Sequence, residues 1–320
     1  MKTIKELEKF YFENLKLTLD KVEEDRTKSI GRMFKHFFIC TLLFVILAVI
    51  LMMNVRIEVN GICIFGAAYF MSMQGIYSSA KSKYNDNFKD SIIKPLIHSI
   101  DESLVYYKNK CISIDNFIKT DLFKKPDVLS GDDYVCGEID GVKIEFSDVN
   151  ALTKSEGKDK KVEYKSFFRG FFIKASFNKN FQGKTLVLPD STQSIFSSLL
   201  SNWLEFKDTK KGRLLTMDND EFEREFVVYS TDQIEARYIL TPTMMERLLD
   251  FKKKSGYPLY ISFVDDSIHA VIGNNKNSFE ATLFQSVLDY GVAFEYIQNL
   301  HLASAIISDL KLNAKLWGKK

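Results

Sequence analysis

The sequence is poor in the residue types from which catalytic and metal centres are most often built. It has four cysteines and four histidines in 320 residues. Cys40 and Cys63 sit inside hydrophobic runs, and Cys111 and Cys136 lack partners at metal-ligand spacing, so reduced, free thiols are expected in place of a disulfide framework. His36, His98, His269 and His301 are scattered and give no local support to a histidine metal site. There is no long basic block. The formal net charge is +2, and short clusters such as Lys207-Asp208-Thr209-Lys210-Lys211 and Lys252-Lys253-Lys254 suit solvated loops or helix ends, so no nucleic-acid partner is expected. Gly170 and Gly183 stand alone, which excludes a glycine-rich phosphate loop, and no serine, cysteine or histidine falls in a nucleophile motif. No cofactor and no metal are therefore expected. Whether the protein is an enzyme stays open at this level.

What is present is long hydrophobic runs. Residues 37–53 are apolar except for Cys40 and Thr41, and residues 62–77 form a second run diluted by Gly66, Ser72, Gln74 and Gly75. Neither run holds a charge. A bilayer core needs roughly 20 apolar helical residues, and a segment in lipid must satisfy its own backbone, so both are read as helices of a transmembrane hairpin turning at Asn60-Gly61. Arg26, Lys28, Arg32 and Lys35 precede the first run, and Lys81, Lys83, Lys89 and Lys94 follow the second. The charge bias predicts a multi-pass membrane protein with both termini cytoplasmic. Three regions are expected: a cytoplasmic amphipathic helix over 1–35, the hairpin over 36–80, and a cytoplasmic domain over 81–320.

Ile4, Leu7, Tyr11, Leu15, Leu19 and Val22 recur at three- and four-residue steps and predict a helix whose apolar side packs on this chain's cytoplasmic domain or a second copy, with a partner protein or the membrane surface as the alternative. Helical spacing resumes at Phe88, Ile92, Leu96, Ile100 and Leu104, with a kink at Pro95. Residues 112–123 read as a short helix capped by Ser113, and 124–133 as a loop. Asp140-Gly141 between two alternating segments predicts a tight hairpin. Strands are expected over 164–177, 184–188, 213–217 and 226–229, and helices over 191–206 and 220–225. Ser230 with Gln233, and Thr243 with Glu246, predict two capping boxes; the second helix stops at Gly256. Residues 259–263 and 267–272 form a hairpin across Asp265-Asp266, and 284–312 a long helix interrupted at Gly291. The class is α+β, an antiparallel sheet with flanking helices.

Phe168-Arg169-Gly170-Phe171-Phe172, then Phe181-Gln182-Gly183-Lys184-Thr185, Phe222-Glu223-Arg224-Glu225-Phe226 and Glu235-Ala236-Arg237-Tyr238-Ile239-Leu240-Thr241-Pro242, together resemble the bacterial membrane-protein family called domain of unknown function 3137. The resemblance runs from residue 134 to 273. It implies a double-spanning protein of the bacterial plasma (inner) membrane with a cytoplasmic domain, and it brings no assigned chemistry.

Arg169, Glu235 and Arg237 are the candidate polar site, as an ion-pair network or an anion site. Glu235 and Arg237, two apart on a helix, do not face one another, so structural bracing is the favoured reading. The acidic residues Asp218, Asp220, Glu221, Asp265 and Asp266 fit a helix start and a turn better than a metal site. The phenylalanines of 167–177 suit a sheet core, with an apolar lipid-accessible pocket as the alternative. Two functions follow: a membrane-anchored interaction or regulatory module with a protein partner, or a membrane-associated enzyme or lipid-binding protein using the Phe-rich strand and the Arg169/Glu235/Arg237 region. The expected partners are the bilayer and a protein, with a homo-oligomer as a further option.

Overall fold

The computed structural model describes residues 2–54, 59–156, 162–177, 180–190 and 212–310. In chain order, α1 (Ile4–Lys9) passes through a wide π turn (Phe10–Asn14) into α2 (Lys16–Asn54). Then come α3 (Val59–Phe88), a second π turn (Lys89–Ile93) and α4 (Lys94–Ile100). The following part holds β1 (Val105–Tyr107), α5 (Ile114–Lys119), β2 (Val128–Ser130), β3 (Tyr134–Ile139), β4 (Val142–Glu156), β5 (Val162–Ser176) and β6 (Thr185–Pro189). Beyond residue 211 lie β7 (Arg213–Leu215), α6 (Asp220–Glu225), β8 (Phe226–Ser230), α7 (Gln233–Ile239), α8 (Pro242–Ser255), β9 (Leu259–Val264), β10 (Ser267–Ile272) and α9 (Tyr290–Asp309).

Two compact units divide the chain. One joins Lys5–Leu96 to Phe279–Ile297; the other joins Ile97–Ser278 to the chain from Gln298. Hydropathy draws its boundary at residue 80, whereas packing draws it at 96 and recruits a distant segment.

In the helical unit the six-residue apolar spacing of the N-terminus has a partner. Leu7, Tyr11, Leu15, Leu19 and Val22 are buried, and the Tyr11 hydroxyl donates to the Val287 carbonyl at 2.9 Å. Arg26 bonds the Leu283 carbonyl at 2.7 Å, and the Asn85 side chain accepts from the Ala281 amide at 3.0 Å. The helix therefore packs on this chain itself. α2 and α3 run antiparallel: the Thr41 and Tyr69 hydroxyls meet at 2.7 Å, and Asn87 donates to Asp25 at 3.2 Å. Within α2, residues Lys16–Ile50 form the helix that, among the described residues, is long and apolar enough to cross a membrane. Only 6 % of its most apolar stretch is buried. Asn60 and Gly61, expected as the turn, lie in the first turn of α3 instead. The predicted break at Pro95 is taken up by the π turn just before it, which re-routes the hydrogen-bond ladder ahead of the missing N–H.

The other unit is an antiparallel ten-strand sheet among the described residues, in the order β1-β3-β4-β5-β10-β9-β6-β8-β7, with β2 on β4. This bears out the α+β class with flanking helices. The β3–β4 turn is the predicted one, Asp140 at φ 50° and Gly141 at φ 81°. β6, β9 and β10 are buried along their whole length, so both faces of the sheet centre are covered. On one face Phe117 of α5 and Phe123 pack on Phe168 and Phe172; on the other, Phe171 packs on Phe146. The phenylalanines of β5 thus point alternately into two cores, with period two, and are packed sheet residues.

Several local expectations need correction. Residues 124–133 are not only loop: Val128–Ser130 pairs with β4, a three-residue strand too short to show a pattern. α7 is capped by Asp232, whose carboxylate accepts from Ile234 and Glu235 amides, and not by Ser230, the last residue of β8. α8 is capped by Thr241, with Pro242 in its first turn, and not by Thr243. α9 begins at Tyr290, where Asp289 accepts the Val292 amide, so 284–289 are not helical and Gly291 is internal. The helix expected over 191–206 lies outside the described residues, as do residues 55–58, 157–161 and those after 310.

Candidate functional site

In an antiparallel ladder, directly paired residues share a face. The register Asp148↔Phe171 and Asn150↔Arg169 therefore puts Asp148 and Arg169 on one face, two rungs apart. Consecutive residues of one segment cover them. The Arg169 guanidinium donates to the Asn277 side-chain oxygen, and Asp148 receives the Ser278 amide at 2.5 Å and the Ser278 hydroxyl at 2.6 Å. Asn299 on α9 holds the Ser278 carbonyl at 3.2 Å.

Asp132 and Asp133 come to the same place. Their ligand oxygens and that of Asp148 lie within 4.8 Å of one another, with Asp133 and Asp148 fully buried. Asp133 stands at φ 58°, and accepts the Tyr106 hydroxyl at 2.5 Å. The Asp132 carbonyl accepts the Asp148 amide at 3.1 Å. Gly131 makes the approach possible: a Cβ there would overlap the Asp148 carbonyl oxygen. Burial pushes the Asp148 carboxyl up to about 8, the Ser278 hydrogen bonds pull it down, and the neighbouring acids Asp133 and Asp132 push it further up. The cluster holds a proton at neutral pH, and its spacing also suits oxygen ligands for a hard cation.

The opposite face carries a second polar row. Cys136, Glu145, Lys174, His269 and Ser262 are consecutive in register across β3, β4, β5, β10 and β9. Glu145 accepts from Lys174 at 3.1 Å and from the Tyr134 hydroxyl at 2.9 Å. His269 is buried, its Nδ1 has no hydrogen-bond partner, and burial together with the nearby Lys174 charge lowers its pKa to about 4. It is a neutral core histidine.

The sequence-derived trio is not brought together by these contacts. Glu235, buried on α7, accepts the amides of Gln182 and Gly183 at 2.8–3.2 Å. Arg237 donates to the Thr216 carbonyl at 3.0 Å and pairs with the exposed Asp218 at 3.7 Å. Arg169 belongs to the acid cluster's covering segment. Asp265 forms the β9–β10 turn at φ 55°, and Asp220 and Glu221 open α6 behind the Asn219 cap. The acid cluster was missed because Asp148 lies 15 residues beyond Asp133, where a charge interrupts the apolar alternation of Val142, Ile144 and Phe146; the Asp132-Asp133 pair after Gly131 was its one local sign.

Fold and site together define an α+β protein with a buried carboxyl cluster on its sheet and an apolar helix near its N-terminus. Residues 166–312 match the model of the family described as protein of unknown function (DUF3137), so the resemblance carried by Phe168-Arg169-Gly170 and the segments after it is borne out, over a span that starts later and ends later than expected. No curated protein matches. A solved structure, the mycobacterial trehalose monomycolate transport factor A, TtfA, is similar at 10% identity and a TM-score of 0.38, over 68% of this chain and 93% of that one.

Proposed function

We propose that this protein is a membrane-anchored module whose paired helices α2 and α3 hold it in a bilayer and whose sheet unit works in the cytoplasm by binding a protein partner. One observation carries the anchor. Phe38, Ile39, Leu42, Leu43, Val45 and Ile46 are each between 41 and 71 % exposed along one helix. Apolar surface costs about 25 cal/mol per Å² in water, and monomeric soluble proteins rarely expose a continuous patch on this scale. A bilayer covers it. The flanking cations support the orientation. Arg26, Lys28 and Lys81 pair with glutamates and Lys89 is buried, while Arg32, Lys35, Lys83 and Lys94 stand exposed on the side assigned to the cytoplasm.

The enzyme alternative has less to stand on, since Arg169, Glu235 and Arg237 brace three different segments. Topology is tested by maleimide labelling of Cys136 in intact cells and in lysed ones. Labelling only after lysis, together with resistance of the chain to alkaline extraction from membranes, is the expected result. Labelling of intact cells from outside would overturn the orientation, and release by alkali would overturn the anchor.

A further inference from the structure

The two antiparallel helices part where the first apolar run begins. Ser29, Arg32, Met33 and His36 of α2 face Ser72, Gly75, Ile76, Ser79, Ala80 and Lys83 of α3 across a cleft of about 520 Å³. Met33 is buried at its floor, while Arg32, His36 and Lys83 stand exposed at its rim. Small side chains keep it open; at Gly75 a Cβ would meet nothing within 4 Å.

The charge of this cleft is unbalanced: its lining holds Arg32, His36 and Lys83 and no carboxylate. Lys9, Arg26, Lys28 and Lys81 pair with Glu13, Glu23, Glu24 and Glu280. Arg32 instead bonds only groups of its own helix, the Lys28 carbonyl at 3.4 Å and the Ser29 hydroxyl at 3.2 Å. Among the described residues Lys83 and His36 make no hydrogen bond or ion pair. Three nitrogen-bearing side chains and three hydroxyls converge without a carboxylate. His36 is the residue before the apolar run and Ser72 lies within the second one, so the cleft opens at the depth where the hydrocarbon gives way to phosphate.

We infer that this cleft binds the phosphate headgroup of an anionic phospholipid. The inference rests on the membrane-anchor reading. Basic pockets between helices on the cytoplasmic side of a membrane hold such headgroups, with Arg and Lys at the phosphate and hydroxyls completing its hydrogen bonds. A free inorganic phosphate offers the same oxygens without acyl chains, and the cleft's place at the start of the apolar run, between His36 and Ser72, favours the lipid.

The full chain is purified in detergent, and lipid retention is read by native mass spectrometry against phosphatidylglycerol, phosphatidylcholine and inorganic phosphate. Phosphatidylglycerol is expected to be retained at least tenfold better than phosphatidylcholine. Removing both cations in R32A/K83A should cut that retention about thirtyfold, about fivefold for each charge at a membrane surface. Gly75→Leu, which fills the cleft and leaves every charge in place, should cut it as well. Equal retention of the two lipids, or unchanged retention in both variants, overturns the inference. So does full displacement of the lipid by inorganic phosphate, which would assign the cleft to a soluble anion, and so does a changed oligomeric state of Gly75→Leu with unchanged lipid binding, which would assign it to a second copy. Co-flotation with neutral phosphatidylcholine vesicles reports the anchor separately: a chain that floats and does not select headgroups refutes only the cleft, and one that does not float refutes both.

Discussion

Replacing Asp148 by Asn should flatten the dependence of stability on pH above neutrality. Asp148 has a folded pKa of about 8, far above that of a carboxyl in the unfolded chain. Between those two values the folded state binds the extra proton, so stability falls as pH rises, by about 1.4 kcal/mol per unit. His269 acts in the opposite sense. Its folded pKa of about 4 lies below the ordinary value of about 6.5, so the unfolded state binds the extra proton and stability rises with pH between them. From about pH 4.5 to 6 the two slopes offset one another. Above about pH 6.5 the Asp148 contribution dominates: integration from 6.5 to 8 gives a loss of about 1.7 kcal/mol from Asp148 against a gain of about 0.4 kcal/mol from His269, a net loss of about 1.3 kcal/mol. Asn resembles the neutral carboxyl in shape and cannot ionise. Pulse proteolysis of the full chain in detergent, over a urea series at pH 6.5 and pH 8, measures the difference. The wild type should lose about 1.3 kcal/mol between the two, whereas Asp148→Asn should gain a few tenths. Equal losses in both proteins would refute the buried, proton-holding cluster.

Three further outcomes are expected from the same assay. Gly131→Ala should cost at least about 2 kcal/mol, because the opposing atom is a main-chain oxygen of β4 that cannot rotate away. Glu235→Gln should cost about 1–3 kcal/mol, since a neutral amide replaces a buried carboxylate that takes the amides of Gln182 and Gly183; no change would mean that this loop is held by other contacts. Thr241→Ala should lower stability by about 1 kcal/mol while Thr243→Ala stays within about 0.5 kcal/mol, and the reverse order would restore Thr243 as the cap of α8.

The parts of this fold legible in the sequence are those that one turn or one period decides. Asp140-Gly141 demands left-handed backbone at both positions and obtains it, Gly256 ends α8 at φ 68°, and Ser113 caps α5. The parts that were not legible depend on partners far along the chain. Thr241 and Thr243 both match a capping pattern; Pro242 between them belongs at a first helical position and therefore selects Thr241. Val128–Ser130 becomes a strand only because β4 runs on beyond its pairing with β3 and offers a free edge at 150–152. Of the candidate site, Arg169 was visible as a charge in an apolar strand, but the acid beside it was not, because Asp148 meets Asp132 and Asp133 only after the β3–β4 hairpin folds back. The bracing roles of Glu235 and Arg237 follow from α7 meeting loops 50 and 20 residues away, which no local pattern encodes.

The helical unit closes only when residues 279–297 arrive. During synthesis the first 96 residues leave the ribosome early, and the buried side of their helices waits through the making of the whole sheet for Val287, Leu283 and Ala281 to dock beside Tyr11, Arg26 and Asn85. An N-terminal fragment is thus missing a wall, and a soluble fragment that begins after residue 96 carries that wall with nothing to stand against. Any truncation meant to free the sheet from the bilayer has to remove 279–297 as well, or graft back the helices on which that segment rests.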